Sequence, residues 1–563
     1  MESSPAEHPV PVGDEGVRGE EVPVKTKSVR RVLAVDMARG VAILSMVLNH
    51  EIYRSFDYND LLKLNTLPKI IFLCIGVPIA FLSGFRGWFL MVSMTIFGYL
   101  NAKPFLRSAN PSLSPLKRCL PTFWKLFARY IVVFPILCLL QSTREWFGSW
   151  VKNLAKGKEY TFLWKKGVHS GPMNICGLCY LLASPIMLLL GVLYHRRTEA
   201  ETETETETET GPSLSECQSR LLTLTLVSRV LMGVGLVACL PTRMVQDWIV
   251  SHLGLDELKN IDTLAVDFGS YVHYTLYVLL GGNNMGLFPF LTPALIGLAM
   301  GLRLRAIEVR KAMVLREEEI MATVEADSES SSDSAPTDKT PSPMRTEMYW
   351  ALVTLCLGAV VAVYEVVATG WSPNPEDDFR DPGPAVTLLQ TALQIAGCAL
   401  MQKVVDNAKN LGRLVTWSKV FRIFSTYSVT VYVLNMGLSV PVRVFMSQFS
   451  DQCDFVSNND CYVYSLVFIE MLLAGVVWYG ALLLLDLVKG VLSLDWCISA
   501  LGRAVFALGG RSTFSIPNMR GNHCDIIPVT PYRQAEREAE REAEREEADV
   551  VQEVPQTQEE GLV

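Results

Sequence analysis

Three titratable side chains share one face of the first apolar segment, RRVLAVDMARGVAILSMVLNH, at residues 30–50. Asp36 and Arg39 are three residues apart, close enough on a helix to form an ion pair. His50 follows Arg39 on the same face, about three turns and 16 Å further along the axis. Charged groups inside a bilayer cost about 2.5–3.5 kcal/mol each on insertion scales, so they indicate a functional site by default. A neutral imidazole is the usual general base near pH 7. We therefore predict that Asp36, Arg39 and His50 form a catalytic set facing a protein-enclosed chamber.

Structural interpretations of the same residues stay open. The Asp36–Arg39 ion pair alone explains both residues if it pins the first helix to its neighbours. A lone histidine at the end of a helix is common at a membrane interface, where its polar tip meets water.

Two further segments offer groups for binding an anionic substrate. Arg86 ends the sequence FLSGFRG, where it can contact a phosphate or a carboxylate or simply anchor a helix at the interface. Asn283 and Asn284 interrupt an apolar pattern just before Phe288-Pro289. A helix that starts at such a break presents free backbone N–H groups to an anion, although an ordinary turn accounts for it equally. We predict that Arg86, Asn283 and Asn284 bind substrate.

The elements that position these residues are membrane helices. Half of the 563 residues are hydrophobic and 19% are charged, which is too apolar for a soluble protein of this length. We predict an all-α, polytopic helical membrane protein with about 11–12 spans of roughly 20 residues. The spans are expected near 33–50, 67–84, 87–101, 126–141, 172–194, 221–240, 268–282, 285–302, 347–368, 384–402, 418–440 and 462–488, with an interfacial stretch at 490–509. The net charge of −8 comes largely from tails and inserts. Neither a nucleic-acid partner nor a metal site is expected.

Polar segments divide the chain into two membrane halves. The predicted units are a disordered tail at 1–29, a first half at 30–302 with a low-complexity insert at 198–215, a disordered cytosolic linker at 303–346, a second half at 347–510, and a polar tail with a charged helix at 511–563. The first tail has no apolar core of a cleavable signal, so the first helix is expected to direct insertion.

Basic residues before the first span favour a cytosolic N-terminus for a multi-pass protein of the plasma membrane or an endomembrane. One loop, 102–125, is rich in Lys and Arg yet falls on the opposite side in a twelve-span scheme. Cys453 and Cys461 bracket a polar loop on that opposite side, where an oxidising compartment would allow a disulfide between them.

The segment VDMARGVAILSMVLNH resembles the first-helix signature of the transmembrane acyltransferase superfamily, which includes heparan-α-glucosaminide N-acetyltransferase and the acyltransferase-three proteins. The match falls on Asp36, Arg39, Gly40 and His50. Shorter matches are Phe-Leu-Ser-Gly at 81–84, the Phe288-Pro289 step, and a later Gly-x-x-x-Gly at 297–301. Heparan acetyltransferases place the catalytic histidine in a loop after the first helix, so His50 fits the acyltransferase-three pattern better.

The resemblance implies an enzyme that uses acyl-CoA, with acetyl-CoA as the expected donor, and a sugar or lipid acceptor that His50 deprotonates. Two other functions stay open. Membrane Glu, Gln and Asn residues together with a broken segment near residue 283 also suit a transporter of a small anionic solute. The other open function is that of a membrane scaffold without catalytic activity.

Overall fold

The computed structural model is a body of long helices. It describes residues 31–55, 86–107, 112–158, 171–202, 214–252, 279–280, 286–327, 343–369, 383–408, 411–449, 453–454, 460–461, 464–488, 490–491, 493–498, 500 and 526–527. The helices are α1 (Leu33–Ser55), α2 (Arg86–Phe105), α3 (Pro115–Ala155), α4 (Pro172–Thr202), α5 (Leu214–Ala238), α6 (Thr242–His252), α7 (Leu287–Asp327), α8 (Pro343–Thr369), α9 (Pro384–Asp406), α10 (Leu411–Trp417), α11 (Lys419–Thr426), α12 (Ser428–Met446) and α13 (Tyr464–Leu487). Four two-residue strands are β1 (Arg31–Val32), β2 (Cys453–Asp454), β3 (Asp460–Cys461) and β4 (Ile526–Ile527), paired as β1 with β4 and β2 with β3.

Within the described residues, eight helices are long and apolar enough to cross a membrane, or nine if the bent pair in α12 forms one span. Their outer faces are apolar: Val360, Val363 and Val367 of α8 are 64–80% exposed. Such faces suit lipid rather than water. The chain is therefore an all-α, multi-pass helical membrane protein, as its composition predicts. The predicted span 67–84 and most of 268–282 lie outside the described residues.

Helix α2 occupies the centre of the body and is buried along most of its length. It packs closely against α7, because Gly297 lies on the carbonyl of Met91 and Gly301 lies on the carbonyl of Thr95, with no room for a side chain at either glycine. The Gly-x-x-x-Gly spacing at 297–301 is typical of close helix packing, and α2 is the helix that packs there.

These contacts fix the relative directions of the helices. Positions 91 and 95 of α2 meet 297 and 301 of α7 in the same order, so the two helices are parallel. Ala34, near the start of α1, lines one cleft with Thr95 and Leu304, while later residues of α1 pack against Phe89, so α1 runs the opposite way. Helix α2 therefore begins on the side of the membrane where α1 ends, and it ends on the side where α1 begins.

The helix directions also bear on the side of the membrane on which the basic loop 102–125 lies. A single crossing at 67–84 between α1 and α2 would place the basic loop 102–125 opposite the N-terminus. The helix directions instead place the described ends of this loop, residues 106–107 and 112–114, on the same side as the start of α1. The ends of this loop therefore lie on the side that the charge rule favours, whereas the predicted span 67–84 lies outside the described residues.

The boundaries of one predicted unit also change. The linker expected to be disordered over 303–346 is wrong in its first part, since α7 continues as a helix to Asp327. Residues 303–327 contain neither Gly nor Pro and are rich in Arg, Lys, Glu, Met and Ala, which are strong helix formers. Of the predicted insert 198–215, residues 198–202 complete α4 and 214–215 begin α5. The tail 1–29 and the predicted charged C-terminal helix lie outside the described residues.

Candidate functional site

Asp36 and Arg39 fasten α1 to α11. The Arg39 guanidinium donates from Nη2 to Asp36 Oδ1 at 3.2 Å and from Nε to Ser425 Oγ at 2.7 Å. The Ser425 hydroxyl in turn donates to Asp36 Oδ1 at 3.1 Å, which closes a triangle of hydrogen bonds. The predicted ion pair is therefore present and faces protein, and a serine from a distant helix completes it.

Gly40 brings the two helices close enough for this triangle. Its Cα lies against the backbone carbonyl of Phe421 in α11, where a Cβ atom would overlap that carbonyl. Only glycine permits this approach, because any other side chain would push α11 away from Asp36 and Arg39. The geometry suits the structural interpretation of Asp36 and Arg39, with Gly40 as part of the same joint.

His50 lies at the far end of the same face and makes a different set of contacts. Nδ1 of the half-buried imidazole lies 2.8 Å from the Asn435 amide nitrogen on α12. The Asn435 amide oxygen accepts a hydrogen bond from the indole N–H of Trp478 on α13 at 3.1 Å. Asn435 and Trp478 are fully or almost fully buried. One side chain from each of two other helices, α12 and α13, thus holds the ring in place.

This chain of hydrogen bonds selects one tautomer of the imidazole. An indole N–H only donates, so the Asn435 oxygen is the acceptor and its NH₂ group must donate to His50 Nδ1. A neutral imidazole that accepts at Nδ1 carries its proton at Nε2. Protonation of Nδ1 would break the bond to Asn435. His50 therefore presents Nε2–H as a donor to whatever lies beyond the ring.

A buried charge network follows immediately in sequence and space. Arg443 of α12 donates to Glu51 Oε2 from Nε at 3.1 Å and from Nη2 at 3.2 Å. Its Nε also lies 3.3 Å from a carboxylate oxygen of Glu470 on α13. Both glutamates are fully buried, and the Arg443 side chain is 7% exposed. Two acids and one base therefore meet near the ends of α1 and α12, on the side away from the start of α1.

Helix α12, which carries Asn435 and Arg443, is bent. Its parts 428–435 and 437–449 meet at 54°, directly after Asn435. Asp495 anchors the first part, since its carboxylate accepts from the backbone N–H groups of Val429 and Thr430 at 3.1 and 2.9 Å. It also accepts from the Thr430 hydroxyl at 2.7 Å. The carboxylate thus accepts from backbone N–H groups that have no carbonyl partner at the start of the helix. Burial nevertheless raises the pKa of the Asp495 carboxyl.

The residues predicted from the sequence are brought together only in part. Asp36 and Arg39 meet each other, but His50 lies three turns away from them and contacts different helices. Asn283 and Asn284 lie outside the described residues, as does the side chain of Arg86 at the start of α2. The roles predicted for these six residues stay predictions.

The sequence analysis did not identify several residues that contact His50 and Glu51. Asn435 and Glu470 stand out as polar groups in apolar segments, but nothing in the sequence connects them to residues 50 and 51. Glu51, Arg443 and Trp478 could have been singled out, two as charges near predicted spans and one as an indole that needs an acceptor.

A cleft opens elsewhere, near the start of α1. Its polar lining comes from Thr95, Glu347 and Gln402, and its apolar lining is Ala34, Val35, Ala38, Val92, Met300, Leu304 and Cys398. His50 is not among these residues. The cleft lies near the start of α1, whereas the imidazole lies toward the end of the same helix.

The backbone places the two predicted disulfide cysteines opposite each other. Strands β2 and β3 pair antiparallel, with Cys453 directly across from Cys461. Residues in this relation have Cα atoms about 4.5–5.5 Å apart, within the range of about 4.4–6.8 Å that a disulfide spans.

We expect peptide mapping of the protein without reductant to recover Cys453 and Cys461 in one crosslinked fragment. Reduction should separate the two peptides. Recovery of both cysteines as alkylated free thiols from unreduced protein would contradict the pairing. Buried Cys176 and Cys179 serve as internal controls that stay unlinked in the same digest.

No family model matches the chain, and no curated protein or solved structure was found that is similar to it.

Proposed function

We propose that the chain is a membrane-embedded acyltransferase that moves an acyl group, expected to be acetyl, from acyl-CoA to a hydroxyl or amine of a sugar or lipid. The observation that supports this most directly is the oriented imidazole. His50 faces protein rather than lipid, is half-buried, and is held by Asn435, which Trp478 fixes in turn. Enzymes hold catalytic histidines in this way, with a second group orienting the ring.

The tautomer favours a modified role for His50. With its proton at Nε2, the ring is set to donate to the thioester carbonyl oxygen, where negative charge develops in the tetrahedral intermediate. The acceptor oxygen or nitrogen forms the new bond to the carbonyl carbon, and the carbon–sulfur bond breaks. The proton lost by the acceptor balances the departing thiolate, which leaves as CoA–SH. The base role predicted from sequence would need an Nε2 lone pair, and the bond from Asn435 opposes it.

Asp36 and Arg39 act in this proposal as positioning residues. Their bonds to Ser425 hold α11 against α1 and so fix the entry to α12, the helix that delivers Asn435. Arg86, Asn283 and Asn284 keep the substrate-binding role that the sequence predicts for them.

We place the start of α1 in the cytosol. The side of the body where α1 begins carries exposed Lys103, Arg107, Lys117 and Lys125, and such loops are cytoplasmic in multi-pass proteins. Cys453 and Cys461 then face the lumen or the exterior, and the acceptor would approach His50 from that side.

Thioester cleavage by the purified protein in lipid vesicles tests the enzyme class without knowledge of the acceptor. Acetyl-CoA would be supplied with hydroxylamine as a general nucleophile, and the CoA thiol that is released would be measured. We expect release in proportion to protein and its loss on boiling. Release no faster than from empty vesicles, with hydroxylamine or a mixed sugar and lipid panel, would exclude the function.

Transport of a small anionic solute is the second candidate, favoured by the 54° bend of α12 between a polar side chain and a buried charge network. Bent or broken helices with polar groups at the break form the binding sites of many transporters. Uptake of labelled acetate or phosphate into vesicles, without thiol release, would support transport instead.

A further inference from the structure

The ends of α2 and α4 meet the first turns of α3 on the side of the body where α1 begins. A Cβ atom on Gly191 of α4 would lie 2.7 Å from Sγ of Cys119 in α3 and 3.2 Å from the side chain of Phe105, the last residue of α2. Further along, Gly177 of α4 packs on Phe134 of α3, so α4 runs antiparallel to α3 and returns to the same side. The three helix ends therefore form one surface.

This surface is strongly positive. Six exposed basic side chains, which form the basic surface, lie within a few turns of the contact: Lys103, Arg107, Lys117, Lys125, Arg196 and Arg197. Acidic side chains nearby pair with further arginines. Glu199 pairs with Arg118 at 2.8 Å, and Glu216 pairs with Arg220. The described part of these helix ends thus carries a clear excess of positive charge.

The basic surface continues the lipid-facing surface of the same helices. Leu100 of α2 is exposed, and the exposed Lys103 follows it by three residues. Leu193 of α4 is exposed, and the exposed Arg196 follows in the same way. Residues three apart are neighbours on the surface of a helix. The change from apolar to basic within one turn places both charges where the hydrocarbon gives way to headgroups.

Helix α3 extends the same surface along the interface. It has 41 residues, which is about 61 Å at the rise of an α-helix and about twice the thickness of the hydrocarbon core. Its first turns expose Leu116 and Trp124 beside Lys117 and Lys125. Tryptophan together with basic side chains is typical of segments at the level of lipid headgroups.

We propose that the basic surface binds the anionic headgroups of phospholipids in the surrounding bilayer. Phosphate oxygens accept hydrogen bonds from guanidinium and ammonium groups, and the acyl chains of the same lipids pack on the exposed leucines next to these groups. Basic residues beside membrane helices attract the anionic lipids of the cytosolic leaflet, the side on which we place the start of α1. The surface is separate from the proposed acyl transfer, because His50 lies at the other end of α1.

Photocrosslinking in phosphatidylcholine vesicles tests the surface peptide by peptide. Tracer phosphatidylglycerol or phosphatidylcholine would carry the same diazirine next to the glycerol, so that the headgroup is the only difference. We expect peptides from residues 101–129 to crosslink about fivefold more phosphatidylglycerol, roughly the effect of one basic side chain near a membrane surface. Residues 360–367 of α8 expose apolar side chains and contain neither Lys nor Arg. Peptides that cover this control segment should show no preference.

One variant removes charge from the basic surface itself. R107Q/K117Q/R196Q replaces one exposed basic side chain on each of the three helices. We expect it to lower the preference of peptides 101–129 for phosphatidylglycerol to about twofold or less. A preference that stays at the wild-type value in this variant overturns the proposal, as does a wild type without any preference.

A matched control removes the same charge at the other end of α3. K152Q/K156Q/K158Q should keep the wild-type preference of peptides 101–129, and a loss as large as in the first variant overturns the proposal in favour of a general effect of net charge. Raising KCl from about 0.05 M to about 0.5 M should lower the preference of the wild type, because salt screens exposed charges. This measurement needs no variant to fold, and a preference that does not respond to salt also overturns the proposal.

Discussion

His50→Ala should lower the rate of thiol release from acetyl-CoA by about 10²–10³-fold, the usual loss when one donor to a developing oxyanion is removed. The side chain is half-buried at the end of α1, so the variant should insert and fold as the wild type does. His252→Ala is the matched control, since His252 is exposed at the end of α6 and stacks on Trp248. The control should keep the full rate. Full activity in His50→Ala would exclude any role of this residue in catalysis.

Two more substitutions separate the donor role from the base role. His50→Gln places an amide N–H near the position of Nε2 but offers no base, so a donor role predicts a smaller loss than in His50→Ala. Asn435→Asp replaces the donor to Nδ1 with an acceptor, which shifts the imidazole proton to Nδ1 and frees Nε2. If His50 is a donor, Asn435→Asp loses activity. If His50 is the base predicted from sequence, Asn435→Asp keeps activity and His50→Gln is as inactive as His50→Ala.

The polar face of α1 illustrates what the sequence predicts well. Helical spacing alone placed Asp36, Arg39 and His50 on one face and paired the first two, and the structure confirms the pair and the protein-facing direction. The Gly297–Gly301 packing face also follows from spacing, because small residues one turn apart mark a close approach of helices. Both are local properties of one helix.

The partners of that face did not follow from sequence. Asn435 is 385 positions from His50, and Ser425 is 389 from Asp36. Which helices meet depends on how all of the helices share a limited interior, and many polar residues in apolar segments compete for each role. Hydropathy finds apolar segments but does not show whether a short one crosses the membrane, and a change of one in the count reverses the expected direction of every helix after it.

The Glu51–Arg443–Glu470 network should contribute strongly to the stability of the region where α1, α12 and α13 meet. Arg443→Gln leaves two buried carboxylates without their positive charge, and we expect it to lower the free energy of unfolding by about 3–5 kcal/mol, as breaking a buried ion pair does. Combining it with Glu51→Gln and Glu470→Gln removes every charge and should recover much of the loss. Apparent melting temperatures in detergent, followed by tryptophan fluorescence, measure the order of the variants.

Arg118 provides a close control for Arg443. Its side chain is 6% exposed against 7% for Arg443, and it also pairs with a glutamate, at 2.8 Å. The difference lies in the partner, because Glu199 is 42% exposed whereas Glu51 and Glu470 are fully buried. Water can solvate Glu199 once its arginine is gone, so Arg118→Gln should cost about 1 kcal/mol or less. Equal losses in Arg118→Gln and Arg443→Gln, or no recovery in the triple variant, would mean that packing of the arginine side chain rather than buried charge holds α1, α12 and α13 together.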